Sequence, residues 1–344
     1  MGYGGLWLGL FVVTAFFGVL PNPLGLLTMT CPGLLYVIPV ALCAHERRWS
    51  RAAGLIAGAA LAAASGGGVL LLLVANGFVP PTELSTAQTF GLVGLSTVNA
   101  ALAATAGLPI GLGTARGWPY ARVVGVTFSG VATVLIVNLA LAWDSFNRIV
   151  DWMIGSFVTY LKHAEPDNPD MPIAAQIDAL NSFAANKQNF AYGFELASYL
   201  VLICIFVSVI SGILRRRYAD PGPIGSFRDM RPPDALVWAV IATALLWFAD
   251  RHFGSDEMRF VSWNLAVALF AVYFLNGFAI FLYGVQILAP SFIFVMLIVF
   301  LGISVGLLPV LSMVGLFDTW GEFRVRVDRL AQAIRNAQSG DGLT

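Results

Sequence analysis

Charge is what this chain has least of. Asp, Glu, Lys and Arg make up 11% of its 344 residues, against roughly 25% in an average soluble domain. From Phe260 to Phe317 there are 58 residues without one Asp, Glu, Lys, Arg or His. A soluble core helix has no reason to be so long and so uncharged. At ~20 apolar residues per crossing, the run holds two bilayer spans. A basic excess is also missing, since Lys+Arg and Asp+Glu are equal at 19 each, so nucleic acid is not an expected partner. The three cysteines (Cys31, Cys43, Cys204) lie in or beside apolar runs with no CxxC. That argues against a disulfide framework and a zinc site, and for thiols packing as small apolar groups. His45, His163 and His252 fall on different connections, so neither a metal cluster nor a histidine-based triad is indicated. Gly107-Leu108-Pro109-Ile110-Gly111-Leu112-Gly113 lacks the Lys-Ser/Thr of a phosphate loop and reads as a turn between spans. No cofactor, metal or enzymatic activity is expected.

What fills the chain instead is apolar, at 58% hydrophobic residues. The apolar runs cover about 6–20, 24–44, 52–75, 86–108, 121–142, 195–214, 234–249, 261–288 and 290–316. They predict an all-α, polytopic membrane helical bundle of about eight to nine transmembrane helices. No basic residue precedes Leu6–Leu20 and no small-residue cleavage site follows, so this run is expected to be a retained first helix. The expected organisation is a bundle over 1–317, with an extracytoplasmic loop at 143–194, and an interfacial tail over 318–344.

The few charges are sorted by position. Arg47, Arg48 and Arg51, then Arg116 and Arg122 around a 109–120 loop, then Arg215–Arg217 through Arg231, alternate with acidic connections at 76–85 and 143–194. By the positive-inside rule the basic connections are cytoplasmic. Within 143–194, Ile173, Ile177, Leu180 and Phe183 recur at helical spacing, predicting an amphipathic helix on the outer surface. In the tail, Phe323, Val327, Leu330 and Ile334 form a second apolar stripe beside Arg324, Arg326, Arg329 and Arg335. Such a helix suits the membrane interface, its arginines meeting lipid phosphate.

Ionisable residues at mid-membrane normally mark proton or ion paths, and the runs hold essentially none. The polar groups that do enter are amides: Asn99, Asn138, Asn264, Asn276 and Gln286. An amide in hydrocarbon seeks a partner, either a neighbouring helix or a ligand. Asn264, Asn276 with the helix-weakening Gly277, and Gln286 are the candidate ligand contacts. At the end of the uncharged run, Asp318, Trp320 and Arg324 are candidates for anchoring the tail or docking a partner. There, an Asp318–Arg324 pair would stitch the tail to the last span.

Arg231-Pro232-Pro233 opening a span, Asn264 in the next, and Phe274-Leu275-Asn276-Gly277 within it form a recurring set. With the closing Gly315-Leu316-Phe317-Asp318-Thr319-Trp320 and Phe323-Arg324, the pattern resembles the YybS-like family of bacterial multi-pass membrane proteins. The Gly/Pro run from Gly107 to Arg122 is similar too. That family is distantly similar to substrate-binding S components of energy-coupling-factor transporters and to MreD-type cell-shape proteins. The resemblance implies a helical bundle of the bacterial inner membrane with a cavity for a small molecule, and assigns no residue a role. Two expectations follow. The first is a membrane protein that binds or moves a small molecule as an S component does. The second is a scaffold for envelope or membrane-complex assembly, with a membrane protein partner bound through the tail.

Overall fold

The computed structural model describes residues 25–75, 97–98, 100–134, 136–137, 151, 154–155, 158–159, 177–178, 181–182, 185–186, 189–217, 226–288, 308–327, 329 and 332. Among these no strand occurs, and the chain is an all-α helical bundle. The helices are α1 (Gly25–His45), α2 (Trp49–Ala75), α3 (Gly107–Ala115), α4 (Tyr120–Val134), α5 (Ala191–Arg217), α6 (Leu236–Phe253), α7 (Asp256–Leu288) and α8 (Leu308–Gly321). Tyr192–Arg217, Leu236–Phe253 and Asp256–Gly284 are each long and apolar enough to cross a bilayer. Gly33–His45, Ala100–Ala115 and Tyr120–Val134 are shorter apolar helices. The expected first run, Asn99, Asn138 and most of the 143–194 loop and its amphipathic helix lie outside the described residues, as do Leu330 and Ile334 of the tail stripe.

Two compact units divide the chain. The first comprises Met1–Trp118, Arg122–Lys187 and Ile205–Ile224, and the second Pro119–Ala121, Gln188–Cys204 and Gly225–Thr344.

In the first unit, α1 turns one stripe inward: Tyr36, Val37, Val40, Ala41 and Ala44 are all fully buried. Tyr36 and Val40 pack with Ala52, Leu55 and Ala59 of α2 and with Ala104. Lipid gives no hydrophobic drive for pairing helices, so close contact depends on small residues. A Cβ on Gly111 would stand 2.2 Å from the Ala41 carbonyl oxygen, and one on Gly107 2.5 Å from that of Val37. This corrects the reading of Gly107–Gly113 as a turn. The segment is helical, its glycines pressed on α1, and Pro109 sits in the first turn where its missing N–H is not needed. The expected 109–120 loop shrinks accordingly to the residues between Ala115 and Tyr120. Ser65–Gly68 in the third run are helical too, since α2 is unbroken from Trp49 to Ala75.

In the second unit, α6 and α7 form a hairpin. Gly254, at φ 66°, ends α6 by donating its N–H to the Asp250 carbonyl. Left-handed backbone of this kind suits glycine. Ser255 caps α7 through the Met258 N–H at 3.4 Å. Arg259 then reaches Asp250 (3.4 Å) and Asp256 (3.3 Å), closing the turn electrostatically. Of α6 only Thr243 and Asp250 are buried, which leaves most of that helix facing outward.

Candidate functional site

Several polar contacts of the second unit gather where α7 meets α8. A Cβ on Gly277 would stand 1.8 Å from the Leu311 carbonyl oxygen, and one on Gly315 1.9 Å from that of Tyr273. Residue numbers rise on one helix as they fall on the other, so α7 and α8 run antiparallel. Only paired glycines permit backbones this close.

That approach puts Asn276, 1% exposed, against α8. Its Nδ2 donates to the Gly315 carbonyl at 2.8 Å, and its Oδ1 accepts from Arg324 Nη2 at 2.7 Å. The same Nη2 donates to the Met230 carbonyl oxygen. Arg324 Nε faces Asp318 Oδ2 at 3.7 Å, while Asp318 Oδ1 accepts the Phe323 backbone N–H at 2.9 Å. Asp318 is 3% exposed. A carboxylate taken out of water is tolerated only when a partner charge and hydrogen bonds compensate it, and here both are supplied.

Local sequence explains how Arg324 turns inward. α8 ends at Gly321, and Glu322 takes a left-handed φ of 46° that redirects the chain into a new helical turn at 323–327. Asp318 caps that turn, so one carboxylate both starts the tail helix and faces its arginine. The Met230 carbonyl is placed by the 3-10 turn Phe227–Asp229, where the Met230 N–H donates to the Phe227 carbonyl at 3.0 Å. Phe227 in turn packs against Tyr120 and Phe278, at 6.1 Å between ring centroids in each case. The Tyr120 hydroxyl donates to the Cys204 carbonyl at 2.7 Å, which ties α5 to the same region.

The structure thus joins four of the sequence candidates, Asn276, Gly277, Asp318 and Arg324, which had been assigned to two separate roles. Asn264 stands apart, twelve residues earlier and about 18 Å along α7. Its Oδ1 accepts the Gly193 N–H at 2.7 Å and its Nδ2 donates to the Phe260 carbonyl at 2.8 Å, pinning α5 to α7. Gln286 lies in the last turn of α7, with its side chain outside the described residues. Trp320, 63% exposed, continues an outward stripe with Val310, Met313 and Phe317 on α8. Sequence reasoning missed the Met230 carbonyl, and no residue type signals a backbone acceptor. Among the described residues no group of His, Cys, Asp and Glu is arranged to hold a metal ion. The node contains a cation, a carboxylate and neutral acceptors, all turned on one another.

Long apolar helices paired through glycine and stitched by internally satisfied amides define a helical integral membrane protein. The chain belongs to the predicted membrane protein family DUF2232, whose model it matches over residues 24–319, in keeping with the YybS-like resemblance. No curated protein and no solved structure matches it.

Proposed function

We propose that this is a non-catalytic, multi-pass protein of the bacterial inner membrane that serves as a scaffold for a membrane or envelope complex, as the MreD-type likeness suggests. One observation carries the reading. The amides that looked most apt for a solute, Asn264 and Asn276, are engaged within the protein: each bonds another helix, Asn276 bonds the tail besides, and the Asn264 Nδ2 donates to the Phe260 carbonyl of its own helix. The node fixes where the tail departs, and Arg326 and Arg329 beyond it are exposed, as is Trp320. Met230 lies in the connection bearing Arg215–Arg217 and Arg231, whose charge favours the cytoplasmic side. A tail held against that connection is cytoplasmic as well.

Purification from native membranes tests the scaffold role. The full chain is expected to retain a stoichiometric protein partner, and a chain lacking 325–344, with the node intact, to lose it. Recovery of the full chain alone, or of the same partner without the tail, overturns the reading.

Binding of a small molecule in the manner of an S component remains the second reading, favoured by a different observation. The hydroxyls of Thr127 and Ser211 in the first unit, and of Tyr273 in the second, are buried without a hydrogen-bond partner among the described residues. A buried hydroxyl left unpaired costs about 1–3 kcal/mol, which a bound polar molecule would offset. Mass spectrometry of the purified protein tests this reading, which fails if no small molecule co-purifies in stoichiometric amount.

A further inference from the structure

The first unit gathers three basic connections at one end. Arg47 and Arg48 lie between α1 and α2 with Arg51 in the first turn of α2, Arg116 lies between α3 and α4 with Arg122 in the first turn of α4, and Arg215–Arg217 end α5. His45 Nδ1 lies 3.1 Å from Thr114 Oγ1, which sets the ends of α1 and α3 side by side. Glu46 binds Arg48 and Arg217, each at 3.0 Å, which adds the end of α5. Glu46 is the one carboxylate that these connections contribute among the described residues.

Within this face, Arg116 and Arg122 are arranged unlike the rest. Both guanidinium groups stand over the Trp118 ring, at 5.6 Å and 4.6 Å from its centroid. Both are exposed, and no carboxylate among the described residues pairs with either. Trp118 is itself held, its backbone N–H donating to the Gly113 carbonyl at 2.9 Å. A Cβ on Gly113 would meet the Val123 side chain at 2.8 Å and the indole at 3.1 Å, which fixes the ring between α3 and α4. Two like charges are therefore preplaced on a rigid aromatic at the end of apolar helices, where the headgroup layer begins. Tryptophan favours that layer, and planar guanidinium groups bind phosphate oxygens in pairs.

We propose that Arg116, Trp118 and Arg122 form a binding site for the phosphate of an anionic phospholipid headgroup in the leaflet that the basic connections face. The rest of the arginine face supplies long-range attraction, and the Trp118 triad supplies the seat.

The test uses the full chain in nanodiscs of phosphatidylcholine doped with phosphatidylglycerol, with lipids retained on the protein counted by native mass spectrometry. The wild type is expected to retain phosphatidylglycerol well above its mole fraction in the disc. The double variant R116Q/R122Q is expected to lower that preference about thirtyfold, each arginine near an anionic surface contributing about fivefold. R326Q/R329Q, which removes two exposed tail arginines, is expected to lower it clearly less than R116Q/R122Q does. W118L, keeping both charges, is expected to weaken retention less than the double variant does. Equal retention of the two lipids by the wild type overturns the proposal, as does unchanged retention in R116Q/R122Q. An equal loss in the tail variant reduces the effect to net charge and overturns the site. Displacement of phosphatidylglycerol by inorganic phosphate, but not by chloride at matched ionic strength, assigns the triad to a soluble phosphate instead and overturns the lipid assignment.

Discussion

Substituting alanine for Gly277 probes the tightest contact in the second unit. The added Cβ would begin 1.8 Å from the Leu311 carbonyl oxygen, where ordinary contact begins near 3.4 Å. Backbone cannot swing aside as a long side chain can, so α8 must retreat by about 1.6 Å to restore contact. Overpacking of this kind costs about 1–3 kcal/mol. The retreat also stretches the bond from Asn276 Nδ2 to the Gly315 carbonyl, now 2.8 Å, and a polar link between membrane helices contributes about 0.6–1.7 kcal/mol. Together these predict a loss of about 2–5 kcal/mol, or roughly 2–7 °C in apparent melting temperature for a chain of 344 residues with an unfolding entropy of about 2.1 cal/mol/K per residue. Thermal unfolding in mild detergent measures it. Gly284 on the same helix is the control, because a Cβ there meets nothing within 4 Å, and G284A should stabilise by about 0.4–1 kcal/mol. G315A attacks the same contact from the other side, so G277A/G315A should cost less than the sum of the singles. If G277A melts with the wild type, or G284A falls as far as G277A, the close approach of α7 and α8 is not what holds them together.

Other outcomes follow from the same geometry. R324M removes the partner of a buried carboxylate and should cost about 2–4 kcal/mol, whereas D318N/R324M should recover part of that; thermal unfolding of the set checks it. N264L deprives the Gly193 N–H of its acceptor and should cost about 1 kcal/mol, with faster hydrogen exchange at Gly193 as the local signature. E322G relieves a left-handed non-glycine residue at φ 46° and should stabilise by about 1 kcal/mol; a lower melting temperature would contradict the turn. A single cysteine at Ser339, in an otherwise cysteine-free chain, should resist an impermeant thiol reagent in intact cells and react after lysis, as a cytoplasmic tail requires.

Much of the architecture is legible in the sequence because lipid imposes simple rules. The uncharged stretch from Phe260 to Phe317 announces its helices, and the interrupting Asp318 and Arg324 announce the node. Glycine is where the reading goes astray. In a soluble chain Gly107, Gly111 and Pro109 punctuate a turn, but between membrane helices the glycines mark backbone contact and the proline a helix start. Asn276-Gly277 looked like a kink or a ligand contact for the same reason, since sequence cannot show Gly315 arriving opposite. The tail's four arginines are balanced by Asp318, Glu322, Asp328 and Asp341, so its residue types do not assign it a side. What bears on it is a hydrogen bond to the Met230 carbonyl, 94 residues away in sequence, and a carbonyl leaves no trace in residue identity.

The order in which these pieces leave the ribosome gives the node a further consequence. Asn276 enters the membrane with α7, but the arginine that completes its hydrogen bonding is 48 residues further on. At roughly 5–20 residues per second, the amide waits about 2–10 s for its cation. During that interval every helix of the second unit up to α7 is already made, yet none is bound to the tail. Closure of the node is therefore a timing mark, the event that separates a nascent chain still open to rearrangement, chaperone or protease from one whose last helix has been seated.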